Sequence, residues 1–107
     1  MNLKERHKMK SFLITLIFTI TAFAHTPIMS CMDEGDDTVT CEGGFSDGSS
    51  AGGVKFRVIS NEKKVILDTK LNTESEVNFK KPEGKYSAVF DAGPQHEVYI
   101  KSKDIFE

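Results

Sequence analysis

Apolar and polar residues alternate with a period of two through the second half of the chain. Val54, Phe56 and Val58 alternate with Lys55 and Arg57. Successive side chains of a strand point to opposite faces, so this pattern predicts a half-buried strand. Ser60-Asn61-Glu62-Lys63 is a turn, and Val65-Ile66-Leu67 opens a second strand that runs towards Leu71. Asn72-Thr73-Glu74-Ser75 turns again, and Val77 and Phe79 form one face of the next strand. Lys81-Pro82-Glu83-Gly84 holds two breakers and predicts a loop. Beyond it Tyr86, Ala88 and Phe90 alternate with Ser87 and Val89. After the turn Ala92-Gly93-Pro94, Val98 and Ile100 alternate with Glu97, Tyr99 and Lys101. No stripe of helical period has useful length. Short strands with a turn every ten residues or so predict an all-β chain, a small antiparallel β-sandwich. The expected inward set is Val54, Phe56, Val58, Ile66, Val77, Phe79, Tyr86, Ala88, Phe90, Val98 and Ile100.

The preceding stretch predicts an added hairpin. Met29 to Asp33 is one arm, Thr38 to Phe45 the other, and Glu34-Gly35-Asp36-Asp37 the tip. Cys31 and Cys41 each lie five residues from Asp36, so a hairpin symmetric about that residue sets them opposite each other. Opposed Cβ atoms stand about 4.5–5.5 Å apart, close to the spacing a disulfide accepts. The glycine-rich stretch from Gly43 to Gly53 predicts a flexible link into the alternating strands.

The first segment has a different character. Lys4, Arg6, Lys8 and Lys10 precede an apolar run from Phe12 to Phe23, which ends in Ala22-Phe23-Ala24. A basic start, an apolar middle and a small-x-small exit are the parts of a secretory signal peptide. The run is shorter than the roughly 20 apolar residues of a spanning helix. Cleavage after Ala24 is therefore expected, giving a signal peptide over 1–24 and a periplasmic or secreted product with no membrane span. That product comprises the Cys hairpin and link, 25–53, and the sandwich strands, 54–107, as one domain. The minor alternative is a later exit: Ile28-Met29-Ser30-Cys31 loosely resembles a lipobox, in which Cys31 would become a lipidated N-terminus.

Of 107 residues, 38% are hydrophobic and 28% charged, which excludes a disordered chain and a polytopic membrane protein. The net charge is −2. Removing residues 1–24 takes Lys plus Arg from 14 to 10 and Asp plus Glu from 16 to 15, which gives −5. No basic face predicts nucleic-acid binding, and the chain is too short for a Rossmann or barrel enzyme. No serine, histidine and acid stand at a recognised catalytic spacing, so a non-enzyme is expected.

The segment Val77-Asn78-Phe79-Lys80-Lys81-Pro82-Glu83-Gly84-Lys85-Tyr86-Ser87-Ala88-Val89-Phe90 resembles the end of carboxypeptidase-regulatory-like, prealbumin-type sandwich repeats. These carry a Phe strand, a Pro-x-Gly turn and a Tyr strand. The resemblance spans residues 54–90 and implies a prealbumin- or immunoglobulin-like Greek key, with no function attached. The acidic Cys hairpin and Asp91-Ala92-Gly93-Pro94-Gln95-His96 are similar to small exported proteins grouped with periplasmic components of cobalt or nickel transport systems.

Candidate chemistry centres on His25. Cleavage after Ala24 exposes a free amine beside its own imidazole, a pair that chelates one ion. Their reference pKa values, about 8 and 6.5, make deprotonation at neutral pH inexpensive. Such nitrogen donors favour Cu(II) and Ni(II). The chain resembles exported copper carriers and copper oxygenases at that one position. His96 shares the parity of Val98 and Ile100, which points its ring to the core side at the end of the sandwich and makes it the expected closing ligand. Met29 and Met32 are alternative soft ligands. Asp33, Glu34, Asp36 and Asp37 lack the spacing of a calcium loop and predict a solvated tip, and Lys80, Lys81 and Lys85 predict a solubilising rim. The sequence thus predicts a non-catalytic carrier or accessory protein binding one Cu or Ni/Co ion and serving a membrane transport system. The alternative is a metal-free structural, interaction or carbohydrate-binding module of the cell envelope, with Tyr99 as its exposed aromatic.

Overall fold

The computed structural model describes residues 25–107; the signal-peptide expectation for 1–24 lies outside them. Seven strands form, β1 (Pro27–Asp33), β2 (Thr38–Phe45), β3 (Lys55–Ser60), β4 (Val65–Lys70), β5 (Glu76–Lys80), β6 (Tyr86–Asp91) and β7 (Glu97–Lys101), followed by a short 3-10 turn, Ser102–Asp104. They pair antiparallel into two sheets, β1-β2-β5 and β4-β3-β6-β7. The all-β sandwich expected from period-two alternation is therefore the fold.

The core lies between the sheets. Val39, Cys41, Ala51, Phe56, Val58, Ala88 and Phe90 are fully buried, with Leu71, Phe79, Tyr86 and Ile105 nearly so. Phe79 lies between Phe56 and Tyr86, with ring centroids 5.6 and 6.3 Å away, within the range of favourable aromatic pairs. Val54, Val77, Val98 and Ile100 pack at its margin.

Three expectations are corrected. Ile66 is half exposed, not inward. The register between β3 and β4 shifts after Val58↔Leu67 to Ile59↔Val65, so Ile66 is the extra residue of a bulge and Leu67 takes the inward place. Val89 sits on the outer face as its parity requires, yet it is fully buried. Its cross-strand neighbours are Arg57 and Tyr99, whose long side chains shield it. Gly43 and Gly44 are not link residues; they belong to β2, and the chain crosses to the other sheet only after Phe45.

The hairpin is integral to the body. β2 is the central strand of its sheet, paired with β1 on one side and β5 on the other. Cys31 and Cys41 are direct register partners, their Cα atoms 4.0 Å apart, and they form the expected disulfide.

The crossing between sheets from β4 to β5 is fixed by Ser75, which is buried and has φ +65°. Its hydroxyl accepts from the Ala51 N–H at 2.9 Å, and its carbonyl accepts from Gly43 N–H at 2.9 Å.

Candidate metal centre and the two ends of the sandwich

Antiparallel pairing sorts the loops to two ends. The start of β1 meets the end of β2 through Pro27↔Phe45, and the Phe45 ring packs edge-on against Phe90 at 5.8 Å. His25, the loop after β2 and the β6–β7 turn carrying His96 therefore share one end. The hairpin tip, the β5–β6 loop and the C-terminal tail share the other, where Met32 bridges Phe106 and Phe79 meets Tyr86.

At the first end, His25 Nδ1 lies 2.8 Å from Asp47 Oδ2. The histidine is exposed and the carboxylate is three-quarters shielded. Local hydrogen bonds hold this carboxylate in place. Asp47 Oδ1 accepts from the Ser49 hydroxyl at 2.6 Å and from Ser49 N–H at 3.0 Å, an Asx turn that leaves Oδ2 for the imidazole. These bonds, the hydroxyl first, hold the Asp47 carboxyl below its ordinary range. The segment is anchored to β1 as well, since Thr26 N–H donates to Ser46 Oγ and Ser46 N–H to Thr26 O.

His96 reaches the same end and does not point inward. It precedes β7 rather than belonging to it, and Gln95 before it takes φ +66°, so strand parity does not extend to its ring. The ring is exposed, and Nδ1 donates to Pro94 O at 3.0 Å. Met29 and Met32 are three residues apart on one strand and so face opposite sides. Met29 packs against the core and Met32 is half exposed, so they form no common soft site. Among the described residues, no group of three or more His, Cys, Asp or Glu side chains is disposed to hold a metal ion. What the structure brings together is a pair, His25 with Asp47. Asp47 was missed because Ser46-Asp47-Gly48-Ser49-Ser50 has the composition of a linker. The signal that could have found it is Asp-x-Ser, the pattern of an Asx turn.

Tyr99 is exposed on the outer face of the four-stranded sheet, where its hydroxyl donates to Glu97 at 2.8 Å. That bond and partial burial raise its pKa above the ordinary phenol value. Arg57 lies beside Asp91 and Glu97 on the same face, at 3.8 and 3.7 Å. Among the described residues, no helix is long and apolar enough to cross a membrane.

No protein-family model, curated protein or solved structure matches the chain.

Proposed function

We propose that the protein is an exported, non-catalytic carrier or accessory for a divalent transition metal, Cu(II) or Ni(II), held by the amine and imidazole of His25 with the carboxylate of Asp47. The observation that carries this reading is the 2.8 Å separation of His25 Nδ1 and Asp47 Oδ2. Donors at about 2.0 Å from one ion, at right angles, stand about 2.8 Å from each other, as in the square-planar sites these ions prefer. The two side-chain atoms are thus spaced as neighbouring ligands, and the amine freed by cleavage after Ala24 supplies the third donor. Asp47 is preset by Ser49, so the ion orders little more than His25 itself.

This replaces His96 with Asp47 as the closing ligand. His96 lies at the same end, with its Nδ1 bonded to Pro94 O and its Nε2 unengaged by any bond among the described residues, which leaves it as the candidate fourth donor.

The test starts with the mass of the exported protein, which must correspond to a chain beginning at His25. Titration of that chain with Cu(II) is expected to show one tight equivalent. Asp47→Ala is expected to weaken it about tenfold, the loss of one charged contact. His25→Ala, or an extra residue placed before His25, abolishes it. Affinity falls as pH is lowered, because protons compete with the ion for the nitrogens. A mature chain that begins elsewhere, or one whose binding survives blocking of the amine, overturns the reading.

A further inference from the structure

The opposite end of the sandwich holds a feature of the other sign. A cavity of about 640 Å³ opens between the β5–β6 loop and the segment from Lys101 to Ile105. Four lysines line it, Lys81, Lys85, Lys101 and Lys103, and no carboxylate does. A chain with more acids than bases has thus gathered four of its bases around one concavity. Only Lys81 is paired, with Asp33 Oδ2 at 2.6 Å. Three ammonium groups remain without a salt-bridge partner among the described residues.

The walls suit an anion as well. Ser102 Oγ accepts from Tyr86 N–H at 3.2 Å, which leaves its own proton free to donate into the cavity. Ser87 is the cross-strand partner of Lys101, and both line the cavity wall. The nearly buried Tyr86 and Ile105 form an apolar floor. The volume is within the range of small-molecule sites.

Strand pairing explains why the lysines meet. Lys81 and Lys85 bound the β5–β6 loop, while Lys101 ends β7 and Lys103 lies in the last turn. Pairing of β6 with β7 brings the two segments together. In sequence they are about 20 residues apart and look like scattered solubilising charges.

We infer that this cavity binds a phosphate-bearing anion of two or three charges, either a soluble phosphate compound or a phosphorylated lipid headgroup. Lysine binds phosphate as a point charge, and a phosphomonoester carries about −1.5 to −2 at neutral pH, which three unpaired ammonium groups match. The site is independent of His25 and of any metal.

The experiment titrates the purified protein with inorganic pyrophosphate, following backbone amide shifts. In parallel, it measures co-sedimentation with phosphatidylcholine vesicles with and without phosphatidic acid. Expected shifts concentrate on Lys85, Ser87 and Lys101 to Lys103, and binding weakens with rising salt. The double variant Lys85→Gln/Lys101→Gln is expected to lose affinity about a hundredfold, about tenfold for each charged contact. The double variant Lys64→Gln/Lys70→Gln, outside the cavity, leaves it within about twofold. Both variants change exposed side chains, and unchanged amide spectra verify their folds. Pyrophosphate binding assigns a soluble ligand; binding only to vesicles with phosphatidic acid assigns a headgroup. No binding to either, or equal losses in the two double variants, overturns the inference.

Discussion

Gly43 has no room for a side chain. A Cβ placed there meets the Phe90 ring, and Leu71 Cδ1 stands only 2.8 Å away. Here β2 of one sheet passes close under a core ring of the other. Gly43→Ala is expected to destabilise the protein by about 1–3 kcal/mol, the cost of overpacking a dense core. The lowered midpoint of urea unfolding measures it. Gly48 has open space and φ +84°, so replacing it strains the backbone without touching the core. In the sequence, Gly43 is one of five glycines within eleven residues, and all five suggest a link. What separates them is tertiary: closeness to a ring 47 positions away leaves no trace in local composition. Ile66 makes the same point from the other side. Its parity is that of a core residue until the bulge resets the count. Cys31 and Cys41 were legible because their relation depends only on hairpin symmetry.

Among elements, the β1–β2 hairpin depends most on its covalent tie. β1 is an edge strand whose partner along its length is β2, with one further bridge from Met32 to Phe106. Its exposed side carries Ile28, Ser30 and Met32, so only alternate residues contribute to the core. The disulfide closes a short loop, and in chain-entropy terms such a loop contributes about 2–3 kcal/mol. Replacing both cysteines by alanine is expected to cost about 2–5 kcal/mol, because Cys41 is also a fully buried core residue. Hydrogen exchange is the decisive measurement. β1 amides are expected to lose protection well before those of β3 and β6, which lie inside the four-stranded sheet. Equal loss in all strands would show that the bridge stabilises the fold globally. The strands and the disulfide could be read from alternation and turn chemistry. Their pairing across sheets could not, because a period of two fixes which face a residue takes and not which strand lies beside it.

At the scale of the molecule, the C-terminal tail ties the two sheets together. It leaves β7, turns through Ser102–Asp104, buries Ile105 in the core and sets Phe106 beside β1. Asp33 N–H donates to Phe106 O at 2.9 Å, and the Asp33 side chain binds Lys81. Lys81 N–H in turn donates to Asp37 O at 2.8 Å, so tail, hairpin tip and β5–β6 loop form one connected end. None of this was legible, since residues 102–107 show no alternation. The tie titrates. Donation from Lys81, then from Gly35 N–H, holds the Asp33 carboxyl below its ordinary range, while Asp33 holds Lys81 above its own. The unfolded chain therefore protonates Asp33 first as pH falls. The stabilisation is complete above the ordinary carboxylate pKa, about 4, and is lost as pH drops through the lower folded value. For Lys81 the sign is opposite: its contribution is complete below the ordinary lysine value, near 10.5, and is lost as pH rises through the higher folded one. Asp33→Asn is thus expected to be less stable than the parent at pH 7, with the gap closing as pH falls through the lowered carboxyl value and shrinking in high salt. Unfolding midpoints at pH 7, 4 and 2.5 test this, and a gap that stays constant with pH would mean that packing at the tip, not charge, holds this end. The same variant frees Lys81 and adds a fourth unpaired ammonium to the cavity, so pyrophosphate affinity is expected to rise about tenfold while stability falls.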